Sequence, residues 1–144
     1  LKQCLMMAAD ISAVSLQTNQ QGQAIADTCE SVTVYYSGAD AQLATSGYEY
    51  FRFHLADFPI RLGSIGPFYA YPAPLALNPN VIGVDSSSVT VAPAVSNILN
   101  IHPSYRFIPE ILKDLTETML GEAQSNRSPI PGTTQGFVLK GQAR

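Results

Sequence analysis

Hydrophobic positions along the chain change their period from stretch to stretch. Between Leu1 and about Gln20, Leu5, Ala8, Ala9, Ser12 and Leu16 fall near one helical face, with Ile11 and Val14 beside it, and this predicts an N-terminal helix. Asn19 to Gly22 is polar and ends it, and Gln23 to Glu30 has no decisive period. Ser31-Val32-Thr33-Val34-Tyr35-Tyr36 is rich in β-branched and aromatic residues and predicts a strand, closed by a turn at Ser37-Gly38-Ala39-Asp40. From Tyr48 to Leu55, Phe51, Phe53 and Leu55 alternate with Tyr50, Arg52 and His54, the pattern of a half-buried antiparallel strand.

Phe58-Pro59 breaks that alternation, and Gly63 and Gly66-Pro67 bracket a further turn. Phe68 to Tyr71 predicts a short strand that Pro72-Ala73-Pro74 ends, because proline cannot donate to a ladder. Leu75 to Ala94 has no helical period and reads as an irregular loop, with Val89-Thr90-Val91 as a short extended piece. After a connection at Ile98 to Ser104 comes a helix from about Phe107 to Gly121. Pro109 suits its first turn, Glu110 and Asp114 its N-terminal half, and Gly121 its stop. Ile108, Ile111, Leu112, Leu115 and Met119 form a stripe at helical spacing, expected to face the core. Gln124 to Arg144, with its prolines and glycines, reads as an extended tail on a domain spanning residues 1–123.

Composition narrows the classes. A chain of 144 residues with 46% hydrophobic residues suits one core. Its 13% charged residues fall below the roughly 25% usual for soluble domains, so part of the surface is expected to be covered by partners. A net charge of −3 and no Lys/Arg run argue against nucleic acid. No apolar run is long enough to span a membrane, and no signal peptide is expected, so the chain reads as cytoplasmic. Cys4 and Cys29 are compatible with one bridge or with two free thiols, and no Cys/His pattern suggests a metal or other cofactor. His54 reads as structural; Asp57 could pair with it, but nothing completes a triad.

The polar chemistry concentrates at Asn78-Pro79-Asn80-Val81 and Asp85-Ser86-Ser87-Ser88-Val89. Around it, several motifs occur in a familiar order. Tyr48 to Leu55 followed by Phe58-Pro59, Phe68 to Pro74 leading to Asn78-Pro79-Asn80-Val81, His102-Pro103, the helix through Leu120, and Ser128-Pro129 together resemble the ubiquitin-conjugating (UBC) family. The resemblance implies an α+β fold: an antiparallel sheet, a meander of about four strands, packed by an N-terminal helix and a helix in the C-terminal half. It also implies a function, acceptance of a ubiquitin-like protein from an activating enzyme and transfer to a target.

Carried over residue by residue, the family's supporting Asn falls on Asn80, whose amide would stabilise an oxyanion. The family's His is here Asn78. Its catalytic Cys has no counterpart; Ser88 before Val89 is the nearest equivalent, with Ser86, Ser87 and Thr90 left open by the register. Asp85 would assist the acceptor, and Ser86, Ser87 and Asn78 would contribute to binding. Serine could stand here as a replacement, as a natural nucleophile, or as the mark of an inactive variant. A serine hydroxyl, unlike a thiol, needs a positioned base. The departures from the eukaryotic pattern point to a bacterial ubiquitin-like pathway. Two alternatives stand beside the carrier: a non-catalytic adaptor of the same fold, and a viral or filament subunit. The bland reading of the three serines is a solvated turn.

Overall fold

A computed structural model of the chain describes residues 1–40, 42–43, 45–46, 61–68, 76–90 and 105–141. The sheet is centred where β-branched and aromatic side chains are densest. Ser31–Tyr36 (β2) is buried from Val32 to Tyr36. A strand covered on both faces carries a continuous apolar run instead of an alternation. Gln3–Met7 (β1) pairs with one side of β2 and Val81–Asp85 (β3) with the other, both parallel. Gly136–Leu139 (β5) runs parallel to β3, and Arg127–Pro129 (β4) closes the edge antiparallel to β5. The strand order is β1-β2-β3-β5-β4. The chain is thus α+β, with a mixed five-stranded sheet and few helices.

The helices described are short except one. They are Gln23–Thr28 (α1), Leu62–Ile65 (α2), Ser87–Thr90 (α3) and Pro109–Leu120 (α4), with a 3-10 turn at Tyr105–Phe107. Pro109 opens α4, and Gly121 ends it in the left-handed region at φ 72°. The Gly121 N–H donates to the carbonyls of Glu117 and Thr118, satisfying helix ends that would otherwise stay unpaired.

Alternate strand residues share a face, and the two faces carry separate cores. Tyr35, Val84 and Leu139 pack with Ile111 of α4, with Ile108 and Leu115 against them. Val32, Val34 and Val81 pack with Leu16, Ala26 and Leu62 on the other side.

Several expectations are corrected. Leu1 to Gln20 is not a helix: its first apolar run is β1, because a run this short satisfies a strand or a helix equally, and pairing along β2 decides. The antiparallel meander is replaced by a sheet whose β1/β2, β2/β3 and β3/β5 pairings are parallel. The loop expected from Leu75 to Ala94 contains the middle strand β3, and Val89 lies in a helical turn, not an extended piece. The segment read as a tail supplies β4 and β5. The stripe on α4 is only half buried: Leu112 and Met119 stay 43% and 68% exposed, while Asp114 and Thr118 are buried. The strand at Tyr48 to Leu55, His54, Asp57, Phe58-Pro59, Tyr69 to Pro74 and His102-Pro103 lie outside the described residues.

Candidate functional site

On the sheet face away from α4, β3 presents Val81, Gly83 and Asp85 in turn, since Val84 faces the helix. Register sets Gly83 beside Gly136 and Tyr36 beside Asp85. The paired glycines leave bare backbone, and the ring of Phe68 lies over it. A Cβ on Gly83 would come 2.5 Å from that ring, and one on Gly136 3.2 Å. Glycine inside a strand commonly marks such a close approach. Gly66, at φ 76°, turns the chain after α2, and its Cα sits against the ring of Tyr36, where an added Cβ would stand 2.6 Å away.

Beside Phe68 lies a cleft of about 510 Å³, walled by Tyr36, Ile65, Phe68 and the Ile130–Thr133 turn between β4 and β5. That volume lies within the range of small-molecule sites, and an apolar, aromatic lining is their usual character. Gln135 fixes the far wall. Its amide donates to the carbonyls of Asn78 and Val81, each at 2.8 Å, and its own carbonyl accepts from Gly83 N–H at 2.8 Å.

The carboxyl ends of β2 and β3 form a polar rim next to this cleft. Asp85 Oδ1 accepts from the N–H and hydroxyl of Ser87, at 2.9 and 2.6 Å. Ser87 Oγ in turn accepts from Gly38 N–H at 3.0 Å, joining the turns that follow the two strands. A carboxylate in this position starts α3 by satisfying an unpaired N–H. Burial, and secondarily the Asp85 carboxylate, pushes the Tyr36 phenol up to about 12. Tyr105 is buried behind the rim; burial first, then Asp40, raises its phenol, while the hydroxyls of Ser86 and Ser37 act in the opposite direction.

The structure separates the residues singled out from sequence into two groups at opposite ends of β3. Asn78 and Asn80 precede the strand and are braces. Asn78 is buried; its amide donates to Leu16 O at 2.9 Å, and its side-chain oxygen accepts from Gln23 at 3.2 Å. Asn80 donates to the carbonyls of Ala26 and Cys29, both at 2.7 Å, tying down the end of α1. Asp85, Ser86, Ser87 and Ser88 follow the strand. At about 3.3 Å per residue, Asn80 and Ser86 stand roughly 20 Å apart. The expected placement of the serines within bonding reach of the Asn80 amide is therefore not found.

The serine hydroxyls also have local uses. Ser86 is buried and donates to Tyr36 O at 2.8 Å; Ser88 donates to Leu139 O at 2.7 Å, tying α3 to the end of β5. Sequence reasoning missed Tyr36, Phe68, Gly83, Gly136 and the Ile130–Thr133 turn as a unit. The one available signal was Gly83 inside an otherwise β-branched run.

Among the described residues no helix is long and apolar enough to cross a membrane, and no group of three or more His, Cys, Asp or Glu could hold a metal ion. Comparison with protein-family models, with curated proteins and with solved structures found no match.

Proposed function

We propose that the chain binds a small molecule, laying a flat apolar part of it in the cleft beside Phe68. One observation carries this reading: an aromatic ring is seated on two bare glycines of adjacent strands, and beside it lies a cleft walled by Tyr36, Ile65 and the Ile130–Thr133 turn. The preference for a ligand over a partner protein comes from size, since a cleft of about 510 Å³ lies within the range of small-molecule sites.

The acyl-carrier expectation draws less support. Asn80 is committed to α1, and Ser86 and Ser88 to backbone carbonyls. Ser87 donates to the Asp85 carboxylate, and that pair also serves to start α3.

A titration with small aromatic fragments, followed by NMR of the labelled chain, tests the proposal. Shifts are expected at Tyr36, Ile65, Phe68 and Ile130 to Thr133, and they should be lost in Gly83→Ala, whose methyl pushes the Phe68 ring into the cleft. Shifts confined to other residues, or unchanged in the variant, would overturn it.

A further inference from the structure

We propose that the ligand of this cleft carries a cationic group next to its flat apolar part, an aromatic amine being the simplest form, and that Asp85 receives the cation. The inference rests on the cleft being a ligand site.

Position comes first. Asp85 is the register neighbour of Tyr36, so their backbones run about 4.8 Å apart, and both side chains leave the same face of the sheet. Tyr36 walls the cleft, and Asp85 stands next to Tyr36, one strand over on the same face and outside the cleft's own lining.

Charge comes next. Both Ser87 bonds go to Oδ1 of Asp85. Among the described residues Oδ2 accepts no hydrogen bond. The ion pairs there are Arg61 with Asp10, Lys113 with Glu117 and Arg127 with Asp114, and none includes Asp85. A half-buried carboxylate that forms no ion pair among the described residues attracts a cation from solution by simple charge complementarity.

The wall supports the same ligand. The Tyr36 and Phe68 rings offer negative π faces, which favour an ammonium or guanidinium nearby. Burial keeps the Tyr36 phenol protonated through the neutral range, so it adds no competing negative charge and can donate to the ligand. An anionic ligand would meet Asp85 with like charge and no described basic side chain paired to relieve it.

The test uses the full chain and three probes of one shape: 2-phenylethylamine, 2-phenylethanol and 3-phenylpropanoate. Affinities are measured for the wild type, Asp85→Asn and Phe68→Ala. The amine should bind about fivefold more tightly than the alcohol, the size expected of one solvent-accessible charge pair, and the carboxylate more weakly than either. In Asp85→Asn, whose amide oxygen still accepts from Ser87, the amine should fall to the level of the alcohol. The amine-to-alcohol ratio in the wild type should also decline as salt is raised, which needs no variant to fold. Equal binding of amine and alcohol, with both weakened by Phe68→Ala, would overturn the cation while leaving the cleft. No binding by any probe would overturn both. A ratio indifferent to salt would overturn the role of charge.

Discussion

Arg127 on β4 holds Asp114 on α4, Nη2 to Oδ2 at 2.7 Å, with side chains 5% and 0% exposed. The pair does not stand alone. Arg127 Nε donates to both carboxylate oxygens, Nη2 to the Thr118 hydroxyl, and the Tyr35 hydroxyl to Asp114 Oδ2 at 2.6 Å. The guanidinium also lies 5.8 Å from the centre of the Phe137 ring. This network fastens α4, β4 and β2 through polar atoms where an apolar stripe was expected.

Removing one member leaves the other charged and buried. Asp114→Ala and Arg127→Ala should each destabilise the chain by about 3–5 kcal/mol in urea unfolding. The apolar pair Asp114→Leu with Arg127→Met should recover most of that loss, because neither charge is then stranded. Single variants within about 1 kcal/mol of wild type would show that the pair is solvated.

The buried tyrosines set an alkaline limit. Tyr35, Tyr36 and Tyr105 all have phenols raised above the usual value near 10, chiefly by burial, with Tyr36 at about 12 and the other two further up. The folded state thus holds the proton more tightly than the unfolded chain. Their contribution to stability is whole below about pH 10 and declines as pH rises through the folded values. Denaturation midpoints should be flat from neutral pH to about 10 and fall steeply toward 12, together with tyrosinate absorbance. Ionisation of all tyrosines near pH 10 in the folded chain would contradict this.

Asn80 tests the division of labour along β3. Asn80→Ala strands the carbonyls of Ala26 and Cys29 at the end of α1, so stability should drop by about 1–3 kcal/mol. Ligand binding at the cleft should be unchanged, since that residue precedes the strand. A loss of binding without loss of stability would return Asn80 to a functional site.

Cys4 and Cys29 sit thiol beside thiol in the core that holds Val32, Val34 and Val81, and burial, with Cys29 next to it, raises the Cys4 thiol. Both are free. A low-molecular-weight disulfide such as oxidised glutathione should convert them to a bridge, slowly at neutral pH because the thiolate is scarce. The bridge should raise the unfolding free energy by about 3 kcal/mol. Mass spectrometry after oxidation of the native chain checks it; oxidation only after unfolding would mean the thiols cannot meet.

What the sequence disclosed follows from how local each cause is. Ser31 to Tyr36 is apolar on both faces and strand-forming throughout, and Pro109 and Gly121 mark a helix by their own backbone limits. These elements needed no distant residue to be read. Gln3–Met7 did: its five residues pair along β2, and only that pairing makes them a strand. Asp114 read only as a dipole-favoured acid because Arg127, which pairs with it, comes thirteen residues later on another element. The asparagines of the Asn78–Val81 stretch brace neighbouring segments, a use the sequence could not separate from oxyanion support, since both draw on the same amide group. The cleft was hidden for a similar reason: Phe68, Gly83 and Gly136 become one feature only after strand register is known.

The account depends on the ring of Phe68 lying across Gly83 and Gly136 with the cleft beside it. Nuclear Overhauser contacts in the chain measure this directly. The Phe68 ring protons should show strong contacts to the α-protons of both glycines, and a bound aromatic fragment should show contacts to the Phe68 and Tyr36 rings. A Phe68 ring with contacts to neither glycine, or a fragment that touches neither ring, would contradict it.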